Sequence, residues 1–280
     1  MKKIYLDAGH GGTDSGAVGN GLLEKNLVLK LQQYMISFLN ANFADFTLQT
    51  TRTTDTFLSL SERASKANAW GADVFMSIHV NAGGGTGYED YIYNGSVSSA
   101  TINYRNRVHE QVVPILSAYN HTNRGKKAAN FAVLRLTNMP AVLTEIAFID
   151  TTKDANLLKN EAFLQAMANA YARGIAVYLN LPVRQSTVYT IQAGDTFYKI
   201  ATMYNITVEA LQNANPGVNP TTLQIGQQIY VPVRTYIVKA GDTLYKIAGM
   251  YNVTVQQIQA VNPGIDPSAL QIGQQIRIPS

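Results

Sequence analysis

Four side chains far apart in the chain carry the reactive chemistry: His10, Glu24, His79 and Glu145. Two imidazoles and one carboxylate form a ligand set that catalytic zinc sites use, leaving the fourth position for water. One anionic ligand against a dication leaves such a centre net positive, able to polarise a carbonyl and acidify its water. The chain has no cysteine, so a metal would be held by histidine and carboxylate. These residues are scattered, and each also has a plain reading. His10 can be an exposed histidine in a glycine-rich turn, and Glu24 a helix-start carboxylate favoured by the dipole. Glu145 is the costliest to leave idle, because a carboxylate inside the apolar run 141–149 must be paired or used.

The elements that must position these groups follow from periodicity. A buried strand through Ile4 and Leu6 ends at Asp7, and His10 follows between Gly9 and Gly11. Such a turn can present the imidazole at a sheet edge, where α/β folds place their sites. Leu27, Leu31, Tyr34, Met35 and Phe38 share one face of a helix that opens at Glu24. Strands are expected over 46–50, 73–79 (ending on His79), 88–93 (carrying Glu89), 131–136 and 141–149. Helices are expected over 58–70, with Leu60, Ala64, Ala67 and Trp70 inward, over 98–119, with Ile102, Val108, Val112, Ile115 and Leu116 as core, and over 160–179. Pro114 threatens a kink in the second of these. His109 and His121 read as structural or surface residues, and Arg124, Lys126 and Lys127 as a solvated turn. The alternation predicts an α/β layered domain, a mostly parallel sheet flanked by helices.

The bulk properties narrow the partners. A hydrophobic content of 46% with 14% charged residues describes an ordinary globular chain, and 280 residues suffice for more than one domain. The net charge of +4 suits an anionic surface such as a cell wall but, with no dense basic stripe, not nucleic acid. Lys2 and Lys3 precede only a few residues before Asp7, so no signal peptide is expected, and no apolar run is long enough to insert into a membrane.

The tail repeats itself. Tyr189 to Ala201 returns as Tyr236 to Ala248, and Leu223 to Ile229 as Leu270 to Ile276, at an offset of about 47 residues. Within each copy a strand leads to Gly-Asp-Thr, where Asp195 or Thr196 can cap a helix. A second helix near 207–213, the loop Asn215-Pro216-Gly217 and a closing strand follow. Both copies resemble LysM, a βααβ module that binds N-acetylglucosamine-containing glycans. The resemblance implies a shallow groove flanked by Gly194-Asp195-Thr196-Phe197 with Leu223 to Ile225, and by Gly241-Asp242-Thr243-Leu244 with Leu270 to Ile272. Phe197 and Leu244 are expected beneath sugar rings, and two weak sites on one chain would bind a polymer with avidity.

The first part of the chain resembles the zinc-dependent N-acetylmuramoyl-L-alanine amidases of cell-wall hydrolases. The motifs occur in order: Asp7-Ala8-Gly9-His10-Gly11-Gly12 with Asp14 and Gly16, then Glu24, Leu60 to Asn68, Ser77-Ile78-His79-Val80-Asn81, Gly87-Tyr88-Glu89 and Pro140 to Ile149. The resemblance implies Zn2+ held by His10, Glu24 and His79, with Glu145 as catalytic acid/base; Asp7 and Asn81 read as turn residues or as ones that orient the ligands. Ala147 replaces the family's usual glycine, and Asp150-Thr151 a small-polar and asparagine pair.

The expected organisation is therefore a catalytic domain over 1–181, a linker over 182–188, and LysM modules over 189–233 and 236–280. The expected activity is hydrolysis of the amide between N-acetylmuramic acid and L-alanine of the peptidoglycan stem peptide. The alternatives are a zinc peptidase cutting within that peptide, or a wall-binding protein with an inactive first domain. Without a signal peptide, a chain made in the cytoplasm would reach the wall as a phage endolysin released by a holin, or in sporulation or autolysis.

Overall fold

A computed structural model describes residues 1–183, 185–215 and 218–279. Arg184 of the expected linker, Pro216 and Gly217 of the first Asn-Pro-Gly loop, and Ser280 lie outside the described residues. The chain divides into two compact units, Met1–Leu39 with Asp45–Pro182 and Asn40–Ala44 with Val183–Ser280.

The first unit is built on a six-stranded sheet. Its strands are β1 (Lys2–Ala8), β4 (Phe46–Thr50), β5 (Val74–Asn81), β6 (Tyr88–Tyr93), β7 (Asn123–Ala129) and β8 (Ala141–Phe148), in the order β4-β1-β5-β8-β6-β7. β4, β1, β5 and β8 run parallel, whereas β6 is antiparallel to β8 and β7 parallel to β6. A two-residue-strand hairpin, β2 (Val18–Gly19) and β3 (Leu22–Leu23), precedes the first helix. β1, β5 and β8 are buried on nearly every residue, as parallel strands covered on both faces must be.

The helices are α1 (Glu24–Asn42), α2 (Leu60–Trp70), α3 (Ser99–Ala118), α4 (Ala132–Arg135), α5 (Thr152–Leu158) and α6 (Glu161–Leu179). α2 begins in a capping box, Ser59 accepting from the Glu62 amide while Glu62 bonds back to Ser59, and ends on Gly71 in the left-handed region. That start turns Arg63, Ala64 and Ala67 inward. Leu60, in the first turn, is 55% exposed, and Ile102 in the first turn of α3 is 40% exposed, so neither joins the core as expected. α3 runs through Pro114 as one helix.

Two elements differ from expectation. The segment expected as a strand at 131–136 is the short helix α4, and the neighbouring strand is β7, over the residues expected as a solvated turn. Among the described residues β7 pairs only with β6, at the sheet's edge, and edge strands are often polar and lysine-bearing.

In the second unit β9 (Gln185–Thr190), β10 (Gln228–Ile237) and β11 (Gln275–Pro279) form one antiparallel sheet with β10 central. The closing strand of the first repeat and the opening strand of the second are therefore one strand, and β9 starts within the expected linker. Helices α7 (Phe197–Met203) and α8 (Val208–Ala214), then α9 (Leu244–Tyr251) and α10 (Val255–Val261), complete the βααβ pattern. Thr196, Thr207, Thr243 and Thr254 cap them through their hydroxyls.

Candidate metal centre and wall-binding surfaces

β1 delivers Asp7 and then turns sharply, with His10 in the left-handed region at φ 58°. That turn is pinned from below. Buried Gln32 accepts from the Ala8 amide and donates to the Arg52 carbonyl. Arg52 in turn donates to the Ala8 and Gly9 carbonyls, and Arg63 to those of Ala8 and His10. Glu24, the first residue of α1, accepts from the Ala17 amide through Oε2 and from the Val80 amide through Oε1.

These placements bring three donor atoms together. Glu24 Oε1 lies 3.1 Å from His10 Nε2 and 3.0 Å from His79 Nδ1. Tetrahedral zinc with bonds of about 2.0–2.1 Å sets its ligands about 3.3 Å apart, so this spacing fits. The outer nitrogen of each imidazole is engaged as well. His10 Nδ1 donates to Asp14 Oδ2 at 2.8 Å. His79 Nε2 lies 3.1 Å from Ser77 Oγ, whose own proton goes to Asp7 Oδ2 at 2.6 Å. Ser77 Oγ must therefore accept, which places a proton on Nε2 and leaves the Nδ1 lone pair for a metal. Asp7 is fixed by Arg63 at 2.8 Å, both fully enclosed, so Arg63, Asp7, Ser77 and His79 form one relay.

Two glycines clear this space. A Cβ at Gly9 would stand 2.3 Å from His79 Cε1, and one at Gly16 would stand 2.5 Å from Glu24 Oε2 and 2.7 Å from His10 Cδ2. His10, Glu24 and His79 are electrostatically coupled. Burial would raise the Glu24 pKa, but its bonds to both histidines hold it well below the usual carboxylate range. Burial would lower that of His10, but Glu24 and Asp14 raise it to about 9.

Glu145 sits beside His79 in register, β8 against β5. Burial pushes its pKa up to about 7; the His79 charge opposes the rise and the Glu24 and Glu89 charges add to it. Its Oε2 is sealed from solvent and has no hydrogen-bond partner among the described residues. Among the described residues no cation pairs with it: Arg63, the buried arginine beside the site, is bound to Asp7. Asn81 takes the turn role, accepting from the Ala82 amide, and donates to Glu89 Oε2. The departures at 150–151 have a visible use: Asp150 accepts from the Gly83 and Gly84 amides, and Thr151 donates to the Gly85 carbonyl. They tie the loop after Glu145 to the turn after His79.

His109 and His121 are structural, as expected. The first pairs with buried Asp90, and the second donates to the Ile146 carbonyl.

The repeats revise the glycan-contact expectation. Phe197 and Leu244 are each 2% exposed and pack in the cores of their repeats, so they cannot lie beneath a sugar. Leu223 and Leu270 are partly buried against the same cores. Asp195 accepts from the Tyr189 hydroxyl and the Gln192 amide, and Asp242 from the Tyr236 hydroxyl and the Lys239 amide. Thr196 and Thr243 are spent on caps. Of the expected contacts, Gly194 and Gly241 stand in open space, and Ile225 and Ile272 are each 74% exposed. The residues next to the buried pair, Tyr198 and Tyr245, are 73% and 81% exposed and were not foreseen.

A mostly parallel sheet with a His-Glu-His cluster at the C-terminal ends of its central strands, followed by βααβ repeats, defines a layered α/β domain with a candidate metal centre and a tail of two small modules. Residues 4–177 match the N-acetylmuramoyl-L-alanine amidase family, and residues 189–232 and 236–279 match the LysM domain. The chain belongs to the N-acetylmuramoyl-L-alanine amidase family and carries two LysM domains. It is 46% identical over 195 residues to the sporulation-specific N-acetylmuramoyl-L-alanine amidase of Bacillus subtilis (strain 168), spanning 69% of this chain and 75% of that protein. It is 46% identical over 182 residues to the endolysin of Bacillus phage SPP1, spanning 64% and 67%. The catalytic domain of the amidase CwlV from Bacillus (Paenibacillus) polymyxa var. colistinus superposes with a TM-score of 0.60 at 36% identity, covering 65% of this chain and all of that one.

Proposed function

We propose that the chain is a zinc-dependent peptidoglycan hydrolase. It would cleave the amide joining the lactyl group of N-acetylmuramic acid to L-alanine, while its repeats grip the glycan. The observation that carries this reading is the convergence of His10 Nε2, Glu24 Oε1 and His79 Nδ1 beside an unpartnered Glu145 carboxyl. Zinc, when bound by these three atoms, supplies a Lewis acid that polarises the scissile carbonyl and acidifies water. Glu145, its pKa near neutrality, takes the attacking water's proton and returns it to the leaving alanine nitrogen. The lactyl carboxylate and a free N-terminal alanine are the products. Asp14 and Ser77 hold the imidazoles in the tautomers that present lone pairs to the ion.

The catalytic part is taken as 1–181, the joining segment as 182–188 and the modules as 189–233 and 236–280. Within the modules, the uncrowded turns at Gly194 and Gly241, whose carbonyls accept from Lys199 and Lys246, and the exposed apolar faces of Tyr198, Ile225, Tyr245 and Ile272 suit N-acetylglucosamine-containing chains. The place of action is the bacterial wall. Kinship with both an endolysin and a sporulation-specific amidase favours release at phage lysis or action in the mother cell. Among the described residues no helix is long and apolar enough to cross a membrane.

End-group analysis of digested wall tests the bond cut. New N-terminal alanine is the expected result, and a new amine deeper in the peptide would replace this reading with that of a zinc peptidase. Binding without any new end group would leave a wall-binding protein.

A further inference from the structure

We propose that Arg124 is a specificity-determining residue, docking a carboxylate of the stem peptide on the leaving-amine side of the scissile bond. The assignment rests on the amidase reading above and extends it to the substrate's next residue. His79 on β5, Glu145 on β8 and Glu89 on β6 are register partners in turn, so they form one row across the sheet edge. Arg124 stands at the start of β7, the next strand, and its Nε donates to Glu89 Oε1.

Glu89 is 2% exposed and does not itself face solvent. Its Oε1 also accepts from Lys127 Nζ at 2.5 Å, and its Oε2 from the Tyr91 hydroxyl at 2.5 Å and Asn81 Nδ2 at 3.1 Å. One buried carboxylate thus faces two cations, leaving one unit of positive charge at the rim. The Arg124 guanidinium lies over the Phe148 ring, 5.1 Å from its centroid, with the side chain 38% exposed. Its two terminal nitrogens have no partner among the described residues. A guanidinium fixed at Nε and over an aromatic face, with its outer nitrogens open, is preorganised for two-point binding of a carboxylate.

The reach selects which carboxylate. Neighbouring strands lie about 4.8 Å apart, so a group meeting Glu89 stands about one strand spacing beyond Glu145. An extended peptide advances about 3.3–3.6 Å per residue, which places Arg124 one to two residues past the bond being cut. On the other side of His10 and His79, Phe57 and Leu60, 52% and 55% exposed, edge a small cavity whose one arginine, Arg63, is neutralised by Asp7. The site therefore has a basic end for the peptide and an apolar end for the acyl group.

The test uses the purified full chain and two N-acetylmuramoyl peptides, identical except that the residue after L-alanine carries a free carboxylate or its amide. The wild type is expected to favour the acid by roughly 10- to 100-fold in kcat/KM, the range for a charge-assisted contact. Arg124→Gln should bring the two substrates together, and Arg124→Lys should keep part of the preference. Zinc content and thermal melting check that the variants are folded. Release of the alanine-terminated peptide by the wild type without preference, or a fall in both rates that keeps their ratio in Arg124→Gln, would overturn the assignment alone. Failure of the wild type to release N-terminal alanine from either peptide would remove the amidase reading and this assignment together.

Discussion

The sheet edge and the tail use burial in opposite ways. Across the sheet, the groups that do chemistry are enclosed, and nearly every one has its partner fixed: His10 by Asp14, His79 by Ser77, Asp7 by Arg63. In the repeats, the polar groups of Gly-Asp-Thr are consumed by turns and caps, and apolar side chains stand outside. Chemistry needs a few desolvated groups held to a fraction of an ångström, whereas polymer binding needs accessible surface repeated along the chain. Sequence identity between the two copies therefore marks foldability as well as exposed surface: the Gly-Asp-Thr turns and the exposed Tyr198 and Tyr245 repeat unchanged, whereas the buried Phe197 is replaced by Leu244 in the second copy.

The contrast can be broken first at the metal. His79→Ala should lose both zinc and turnover while the LysM modules keep their grip on purified wall, as read by metal analysis and wall pull-down. Retained zinc in that variant would mean the ion is held elsewhere. At the other pole, Tyr198→Ala combined with Tyr245→Ala should weaken wall binding by up to roughly 100-fold through lost avidity, with little effect on a small muramoyl peptide. If Phe197 and Leu244 were the contacts instead, that double variant would bind normally.

A smaller effect is expected one bond further out. Ser77→Ala removes the acceptor that sets the His79 tautomer and should reduce zinc affinity by about 10- to 100-fold. Asp7→Ala is a different case. It leaves Arg63 buried without its partner, at a cost of about 3–5 kcal/mol, so it should show first in thermal unfolding.

The mildest handle is pH. In the zinc-free protein His10 is raised from 6.5 to about 9 by its carboxylate neighbours. Protonated His10 thus adds stability that is complete below about 6.5 and fades as pH rises through about 9. Zinc must displace that proton, so its apparent affinity should rise with pH and level off above about 9. Competition titrations across this range would show it, and a flat profile would remove His10 from the ligand set.

Much of the first unit was legible because parallel strands are apolar runs. β4 and β6 fall where expected, and β1, β5 and β8 within two residues. β7 was not, because Asn123 to Ala129 has neither an apolar run nor alternation, and its reason for being a strand is the backbone of β6. Its cations likewise read as a solvated turn until the fold set them against Glu89. Glu145 was legible as a misplaced charge in an apolar strand. Ser77 carried no such mark, since a buried serine in a strand is unremarkable until its neighbours are known. Tyr198 and Tyr245 differ from Phe197 and Leu244 only in which side of a short helix they occupy.

The central claim is that three convergent ligands hold zinc while a separate glutamate moves the proton, and Glu145→Gln addresses it most directly. Zinc content and the release of stem peptide with a new N-terminal alanine (alanine release) should be measured on the same preparation of this variant and of the wild type. Zinc should remain at one ion per chain while alanine release falls by roughly 10²- to 10⁴-fold, the loss expected for a missing general acid/base. Unchanged alanine release with zinc in place, or loss of zinc together with activity, would contradict the division of labour between Glu145 and the His10, Glu24 and His79 cluster.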